Sequence, residues 1–360
     1  MKNIFLQSLI LENYRNFRHF EIKIDNKPII LIGENGSGKT SILEAISLFY
    51  PGRGLRSAKL ADICKSSGDY CSVSSLLQSK LGLAEIITKF NRNSNKRITE
   101  FNGAKIPNNE LGKFTSIVWL TPQMEGIFSA GVSERRKFFD KIVYNFDPNH
   151  AVLVSKYEYY MQERNKIIVE DYIDENWLKV IEEKIAEISV QIASNRLKTL
   201  RYMQQAIDEL DNEFPKANLA IDGLVEQKIL ANEEEVTGFI IDELYKARSK
   251  DKLIGRTSFG VHKSDILVKH KKKDILAKFC STGEQKAILI AVMLAEVNYF
   301  IKSNQTTPIL LLDEVFVHLD NRRREYLTEF FIKAGLQLWI TATDLQGIES
   351  LARHARLVKL

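Results

Sequence analysis

The stretch "IILIGENGSGKTSILEAI", Ile29 to Ile46, constrains the chain more than any other. Ile29 to Ile32 form a short apolar run of the kind that makes a buried strand, and from Ser41 onward apolar residues recur at helical spacing. Between them Gly33, four residues, then Gly38-Lys39-Thr40 match GxxxxGK[ST] in the strand-loop-helix setting that makes this pattern a phosphate-binding loop. Each part has a physical task. The glycines let the backbone from Gly33 through Glu34, Asn35, Gly36, Ser37 and Gly38 converge its N–H groups on phosphate. Lys39 reaches the β/γ oxygens, the Thr40 hydroxyl ligates magnesium, and Ser41 completes the cradle. The plain alternative is a glycine-rich turn before an ordinary helix. The full match favours a site for a nucleoside triphosphate, ATP with Mg2+, on an α/β sheet.

A partner for that loop lies far downstream. In "PILLLDEVFVHLD" the apolar run Ile309 to Leu312 ends in Asp313 and Glu314. Acids at the carboxyl edge of a buried strand stand where doubly wound sheets place their ligands. Asp313 suits magnesium, and Glu314 suits orientation or deprotonation of an attacking water. Two acids after a strand also suit a helix N-cap, and the upstream P-loop is what favours the catalytic reading. A further buried strand follows in "LQLWITATD".

Shortly before the acids, "KFCSTGEQKAIL" places small polar residues, Ser281, Thr282 and Gly283, in front of an apolar helix. That arrangement exposes helix N–H groups to an anion. A P-loop, a strand ending in Asp-Glu and a Ser-x-Gly-x-Gln helix start form the constellation of ABC-type ATPases. Similarity to that class implies that Ser281, Gly283 and Gln285 complete the nucleotide site of a second copy, hence an ATP-dependent homodimer.

Composition narrows the setting. Three cysteines, Cys64, Cys71 and Cys280, are too few and scattered for a disulfide framework or zinc site, which points to a reducing cytoplasm. No signal peptide or membrane span is supported. The net charge of +5 is modest but unevenly spread. From Arg248 to Lys278 ten Lys/Arg face three Asp. Within this segment "VKHKKKDIL" reads as a hairpin with Lys269, Lys271, Lys272 and Lys273 at its tip. A second basic stretch, "NYRNFRHF", carries Arg15 and Arg18. Both suit a phosphate backbone, and both suit a solvated turn or edge strand; charge alone does not separate these.

Texture divides the chain. Short strands and turns occupy the first hundred residues, and "SIVWLTPQ" adds a buried strand ending at Pro122. From Asn149 to Phe214 there is neither Gly nor Pro, and Trp177, Ile181, Ile185, Ile188 and Ile192 recur at helical spacing. A plain helical domain and a short coiled-coil-like arm remain equally open; a helix of about 35 residues spans about 50 Å. Strands resume after Phe214. The expected lobes are 1–121 and 248–360 for the ATPase, with 122–247 mainly helical between them.

About 270 residues separate Lys39 from Asp313, more than a compact transporter ATPase needs, and Thr343 stands where transporters carry a switch histidine. The chain resembles the SMC-like heads and, within them, the RecF family. The matching stretches are "LENYRNF", "GENGSGKTSILEAI", "GRGLRS", "TPQMEGIFSAGVSERRKFFD", "YMQERN", "GVHKSD", "STGEQKAILIAVMLAE" and "LLLDEVFVHLD", nearly end to end. Departures are Glu284 in a usually Gln-rich signature, Glu314 where the family pairs aspartates, "GVHKSD" without the usual proline and with Lys263 where arginine is usual, and "TPQMEG" in place of a more acidic form. The resemblance implies an ABC-type head with an inserted helical lobe and a weak DNA-stimulated ATPase. It also implies binding at gapped or single/double-strand junction DNA, and work with RecO- and RecR-type mediators. Gln123 would act as a Q-loop that senses magnesium and γ-phosphate. The competing functions are a transporter subunit and an ATP-binding scaffold without turnover.

Overall fold

Five parallel strands form the sheet that carries the P-loop, in the order Arg356–Lys359, Ile29–Ile32, Leu338–Ala342, Ile309–Asp313, Ile117–Leu120. All but the first are almost wholly buried, which is why they read as continuous apolar runs rather than alternating ones. Register aligns their carboxyl ends: Asp313 lies opposite Thr341, and Ala342 opposite Ile32. The computed structural model describes residues 4–64, 70–79, 81–92, 96–170, 174–211, 213–231, 234–304 and 307–360.

The chain divides into two compact units. The first comprises Met1–Glu125, Ala206–Pro215 and Ser281–Leu360; the second comprises Gly126–Gln205 and Lys216–Cys280. Beside its parallel sheet the first unit holds an antiparallel one. Its order is Phe17–Lys23, Ser8–Tyr14, Tyr70–Ser79, Gly82–Asn91, Lys96–Phe101, Ala104–Ile106, with Phe5–Leu6 also on Tyr70–Ser79. Alternating burial along Tyr70–Ser79 and Gly82–Asn91 shows one face turned to the core. The expected breaks at 121/122 and 247/248 are displaced: residues 248–280, including the basic hairpin, group with the helical unit. The physical reason is pairing. Asp265–His270 runs antiparallel to Ala217–Asp222 along six residue pairs, which ties the hairpin to that unit.

Helices dominate the second unit: Asn149–Ile168, Glu175–Glu209 up to Gln205, and Val236–Ile254, with Val132–Phe146 before them. The long helix has 35 residues. Ile181, Ile185, Ile188 and Ile192 enter a core shared with Leu153, Tyr157 and Met161 of the second helix and Ile240 and Leu244 of the fourth. This shared packing favours the helical domain over a free-standing arm. Trp177, at the head of the stripe, is 52% exposed and outside the core.

The family-like motifs of this unit form buried ion networks. Arg164 of "YMQERN" is fully buried and donates to Glu182 at 3.0 Å, Asp251 at 2.7 Å and Thr257 at 2.8 Å. Arg135 and Arg136 of "SERRKFFD" reach into "GVHKSD", to Asp265 at 2.6 Å and the Ser264 carbonyl at 3.2 Å. Burial alone would raise the Asp140 pKa, but Arg196 at 2.7 and 2.9 Å holds the carboxyl well below the usual range, helped by His150.

His262 provides a pH test of the same unit. Its Nε2 donates to the Thr257 carbonyl at 3.1 Å, so Nδ1 accepts the Tyr157 hydroxyl at 2.7 Å. Burial, which opposes the charged form, pushes its pKa down to about 4. With a folded pKa below the unfolded one (about 6.5), the unfolded chain binds the extra proton. This contribution to stability is therefore whole above about pH 6.5 and is lost as pH falls toward 4. Urea unfolding at pH 7.5 and pH 5 should show wild type losing about 2 kcal/mol more than His262→Asn over that interval. Parallel losses in both proteins would remove His262 as the cause.

Candidate nucleotide site

The turn from the strand Ile29–Ile32 into the helix Lys39–Ser47 builds the site. Gly38 caps that helix with φ 107°, a left-handed conformation suited to glycine. A Cβ there would also stand 2.5 Å from the Phe17 ring and 2.6 Å from Asn16 Nδ2. Asn16 in turn donates to the Ser37 carbonyl at 3.2 Å. "YRNF" is therefore packed against the loop it precedes.

Lys39 is buried and folds back on the loop, donating to the carbonyls of Gly33 at 2.5 Å and Glu34 at 2.8 Å. Thr40 Oγ1 donates to Asp313 Oδ1 at 3.0 Å, closing the gap between two motifs 273 residues apart. Thr341 Oγ1 donates to the same carboxylate oxygen at 2.8 Å and accepts the Glu314 backbone N–H at 3.0 Å. Thr341 thus orients both acids, a role no pattern in "ITATD" announced. The Thr40 hydroxyl and Asp313 carboxylate are hard oxygen donors, the chemistry Mg2+ takes alongside phosphate oxygens. The residues present fit that ion.

A cavity of about 620 Å3 opens over the loop, walled by Asn35, Gly36, Gly38, Lys39, Thr40 and Ser41, with Glu314 at one side. Arg15, Asn16, Arg56, Asp62 and Cys64 form the other wall. A second cavity, about 490 Å3, shares Asn35 and Glu314 with the first and is lined further on by His318, Arg324 and Thr343. A third touches Gly33, Glu34, Asn35, Gly36 and Ser37 from the side of Lys359 and Leu360. The expected P-loop residues and Glu314 are brought together, and Asp313 is hydrogen-bonded to Thr40 among them.

Other expectations fare differently. Arg15 is not a free cation for DNA. Its guanidinium grips the fully buried Glu44 through Nε at 2.7 Å and a terminal nitrogen at 2.6 Å, and donates to the Asp62 carbonyl at 2.7 Å. A bidentate pair of this kind fixes the nucleotide wall. Arg18 is exposed on the strand Phe17–Lys23, as are Lys269, Lys271, Lys272 and Lys273 around the hairpin Asp265–His270 and Ile275–Leu276. Lys269 pairs with Asp274 at 3.3 Å. Gln123 is exposed in the short turn Pro122–Met124 after the strand Ile117–Leu120, and it lines none of the three cavities. Cys64 and Cys71 are joined in a disulfide with Cα atoms 5.2 Å apart, against the expectation of scattered cysteines. The reason is topological: Cys64 bridges Tyr14, on a strand paired with Tyr70–Ser79, which carries Cys71. In a reducing compartment the same two sulfurs would be neighbouring thiols. Among the described residues no helix is long and apolar enough to cross a membrane.

Ser281, Gly283 and Gln285 line none of these cavities. They open the helix Thr282–Asn304. There Ser281 Oγ accepts the Glu284 N–H at 3.4 Å while Glu284 takes the Ser281 N–H at 3.2 Å and hydroxyl at 3.1 Å. This is a reciprocal capping box.

Comparison with known proteins agrees with this geometry. The family described as RecF/RecN/SMC N terminal domain matches residues 5–359. The DNA replication and repair protein RecF of Rickettsia bellii is 74% identical over 360 residues, covering 100% of both chains. Its namesake in Rickettsia felis is 73% identical, over 100% of this chain and 99% of that one. A solved structure of the recombination mediator protein RecF with ATP superposes with a TM-score of 0.85 at 23% identity, covering 95% of this chain and 93% of that one. An ABC-type head that joins a P-loop to an Asp-Glu strand, with full-length relatives of this identity, places the chain in the RecF family.

Proposed function

We propose that the protein is an ATP-dependent DNA-binding ATPase of recombinational repair and replication-gap maintenance. The observation that carries the reading is the Thr40–Asp313 hydrogen bond with Glu314 in the wall of the same cavity, since binding and hydrolytic groups then meet at one phosphate. Lys39 leaves the Gly33 and Glu34 carbonyls for the β/γ oxygens, and the loop N–H groups hold the remainder. Thr40 and Asp313 would hold Mg2+, which neutralises phosphate charge when bound. Glu314 orients the attacking water and takes its proton.

ATP closes a homodimer in which Ser281, Gly283 and Gln285 of one copy meet the γ-phosphate of the other. Relatives named for DNA replication and repair support DNA as ligand, and a neighbour described within the RecFOR pathway agrees with RecO- and RecR-type mediators as partners; gapped or junction DNA is the form the family resemblance implies. A cytoplasmic location belongs to the same reading. DNA contact falls to the exposed lysines of the hairpin and to Arg18.

Phosphate release measured with and without gapped DNA tests the whole. We expect slow turnover that DNA raises; absence of turnover would leave an ATP-binding scaffold instead. Neutralising Lys271, Lys272 and Lys273 together should reduce the dependence of log K on log salt by about 2 to 3. An unchanged slope would move the DNA path off the hairpin.

A further inference from the structure

After Asp313 the chain makes an irregular loop before the helix Asn321–Ala334. Two of its residues, Glu314 with φ 53° and His318 with φ 62°, hold the left-handed conformation that non-glycine residues disfavour. Such a backbone persists only where its surroundings over-determine it. The near end is fixed by the Glu314 N–H on Thr341, and the far end by Asp320, whose carboxylate caps the helix through the Arg323 N–H at 2.9 Å. Inside the loop the Val317 N–H reaches the Glu314 carbonyl at 3.2 Å.

The middle of the loop is held from elsewhere. Lys286, in the opening turns of Thr282–Asn304, donates its ammonium to the Val317 carbonyl at 2.9 Å. Its side chain is only 8% exposed, and Glu125 pairs with it at 2.8 Å. Glu125 is the residue at which the chain first leaves this unit, and Ser281 the one at which it returns for the last time. One buried cation therefore joins the segment after Gln123, the start of the Ser281 helix and the loop bearing Glu314.

We propose that Lys286 is a positioning residue for hydrolysis, holding the Glu314 loop in its strained conformation from the helix that carries Ser281, with Glu125 fixing the ammonium in place. Nucleotide binding does not depend on this grip, because the backbone of Gly33–Gly38, Lys39 and Thr40 are set by the sheet and by Asn16. The geometry of Glu314 does. Without the ammonium the Val317 carbonyl loses its donor, and the left-handed residues on either side can relax. Displacing a base by an ångström is enough to lower turnover by tenfold to a hundredfold.

The inference rests on Glu314 acting as proposed above, so Glu314→Gln is measured beside it. Lys286→Met keeps the length and apolar stem while removing the charge; Lys286→Arg keeps the charge. For Lys286→Met we expect ATP affinity and KM within about twofold of wild type and kcat lower by about tenfold or more, with Lys286→Arg recovering part of the loss. Glu125→Gln, at a side chain 39% exposed, should fold normally and lower kcat by a smaller factor in the same direction. Wild-type kcat in folded Lys286→Met overturns the proposal, as does a loss of kcat matched by an equal loss of ATP affinity. Should Lys286→Met fail to fold, Glu125→Gln decides, and an unchanged kcat there overturns it too. If Glu314→Gln itself turns over normally, the reading of the site fails; if it is inactive while Lys286→Met is normal, only the role of Lys286 fails.

Discussion

Lys39→Ala abolishes tight ATP binding and leaves the fold standing. The lysine is the one side-chain cation of the P-loop, and charged hydrogen bonds to phosphate are strong. Losing about 3 kcal/mol of such contact weakens affinity roughly a hundredfold. The ATP-free fold loses little, because among the described residues Lys39 there bonds the Gly33 and Glu34 carbonyls of its own loop. Titration with a fluorescent ATP analogue, beside a thermal melt, checks both halves. Wild-type affinity in a folded variant would remove the P-loop from the binding site.

Gly283→Asp separates binding from assembly. A Cβ at Gly283 meets nothing within 4 Å, and its φ is not in the left-handed region, so the isolated chain accepts the change. Any defect must then come from what approaches that helix start. With the γ-phosphate of a second copy as the approaching group, a carboxylate beside the Ser281–Glu284 capping box adds like-charge repulsion of several kcal/mol. We expect normal ATP affinity but a dimer weaker by about a hundredfold or more, with turnover lost alongside. The converse variant, Glu314→Gln, keeps the loop and removes the base, which should slow hydrolysis by about 10²–10⁴-fold and hold the ATP dimer together. Sedimentation of both proteins with ATP and with ADP decides the matter. If Gly283→Asp dimerises on ATP as well as wild type does, Ser281 and Gly283 are only a helix cap.

What could be read from the sequence was local. The P-loop strand, turn and helix are contiguous, so composition and spacing specify them, and the apolar run before Asp313 announced its own burial. The lysine hairpin was legible because its turn and both strands fall within a dozen residues. Long-range pairing was not. "NYRNF" looks basic because nothing nearby in sequence neutralises Arg15; its partner Glu44 arrives on the helix after the P-loop. Cys64 and Cys71 are only seven residues apart, yet spacing alone did not announce their approach, which follows from the bridge of Cys64 to Tyr14 beside the strand that carries Cys71. Gln123 follows a buried strand as a Q-loop should, yet the turn at Pro122 leaves its side chain in solvent. The unit boundary at 280/281 was hidden because the strand that claims the hairpin, Ala217–Asp222, lies nearly fifty residues before it.

The order of the parallel sheet also sets a timetable for synthesis. Ile29–Ile32 lies between Leu338–Ala342 and Arg356–Lys359, so both its neighbours emerge from the ribosome nearly a whole chain later. At typical elongation rates the wait is on the order of tens of seconds. Throughout it, the backbone of this strand has neither of its native sheet neighbours, while the helical unit, complete at Cys280, is free to fold. The nascent protein therefore passes through a stage with a finished helical unit and an unfinished nucleotide site. During that interval the strand that precedes the P-loop is the segment most open to chaperone capture and to wrong β-pairing.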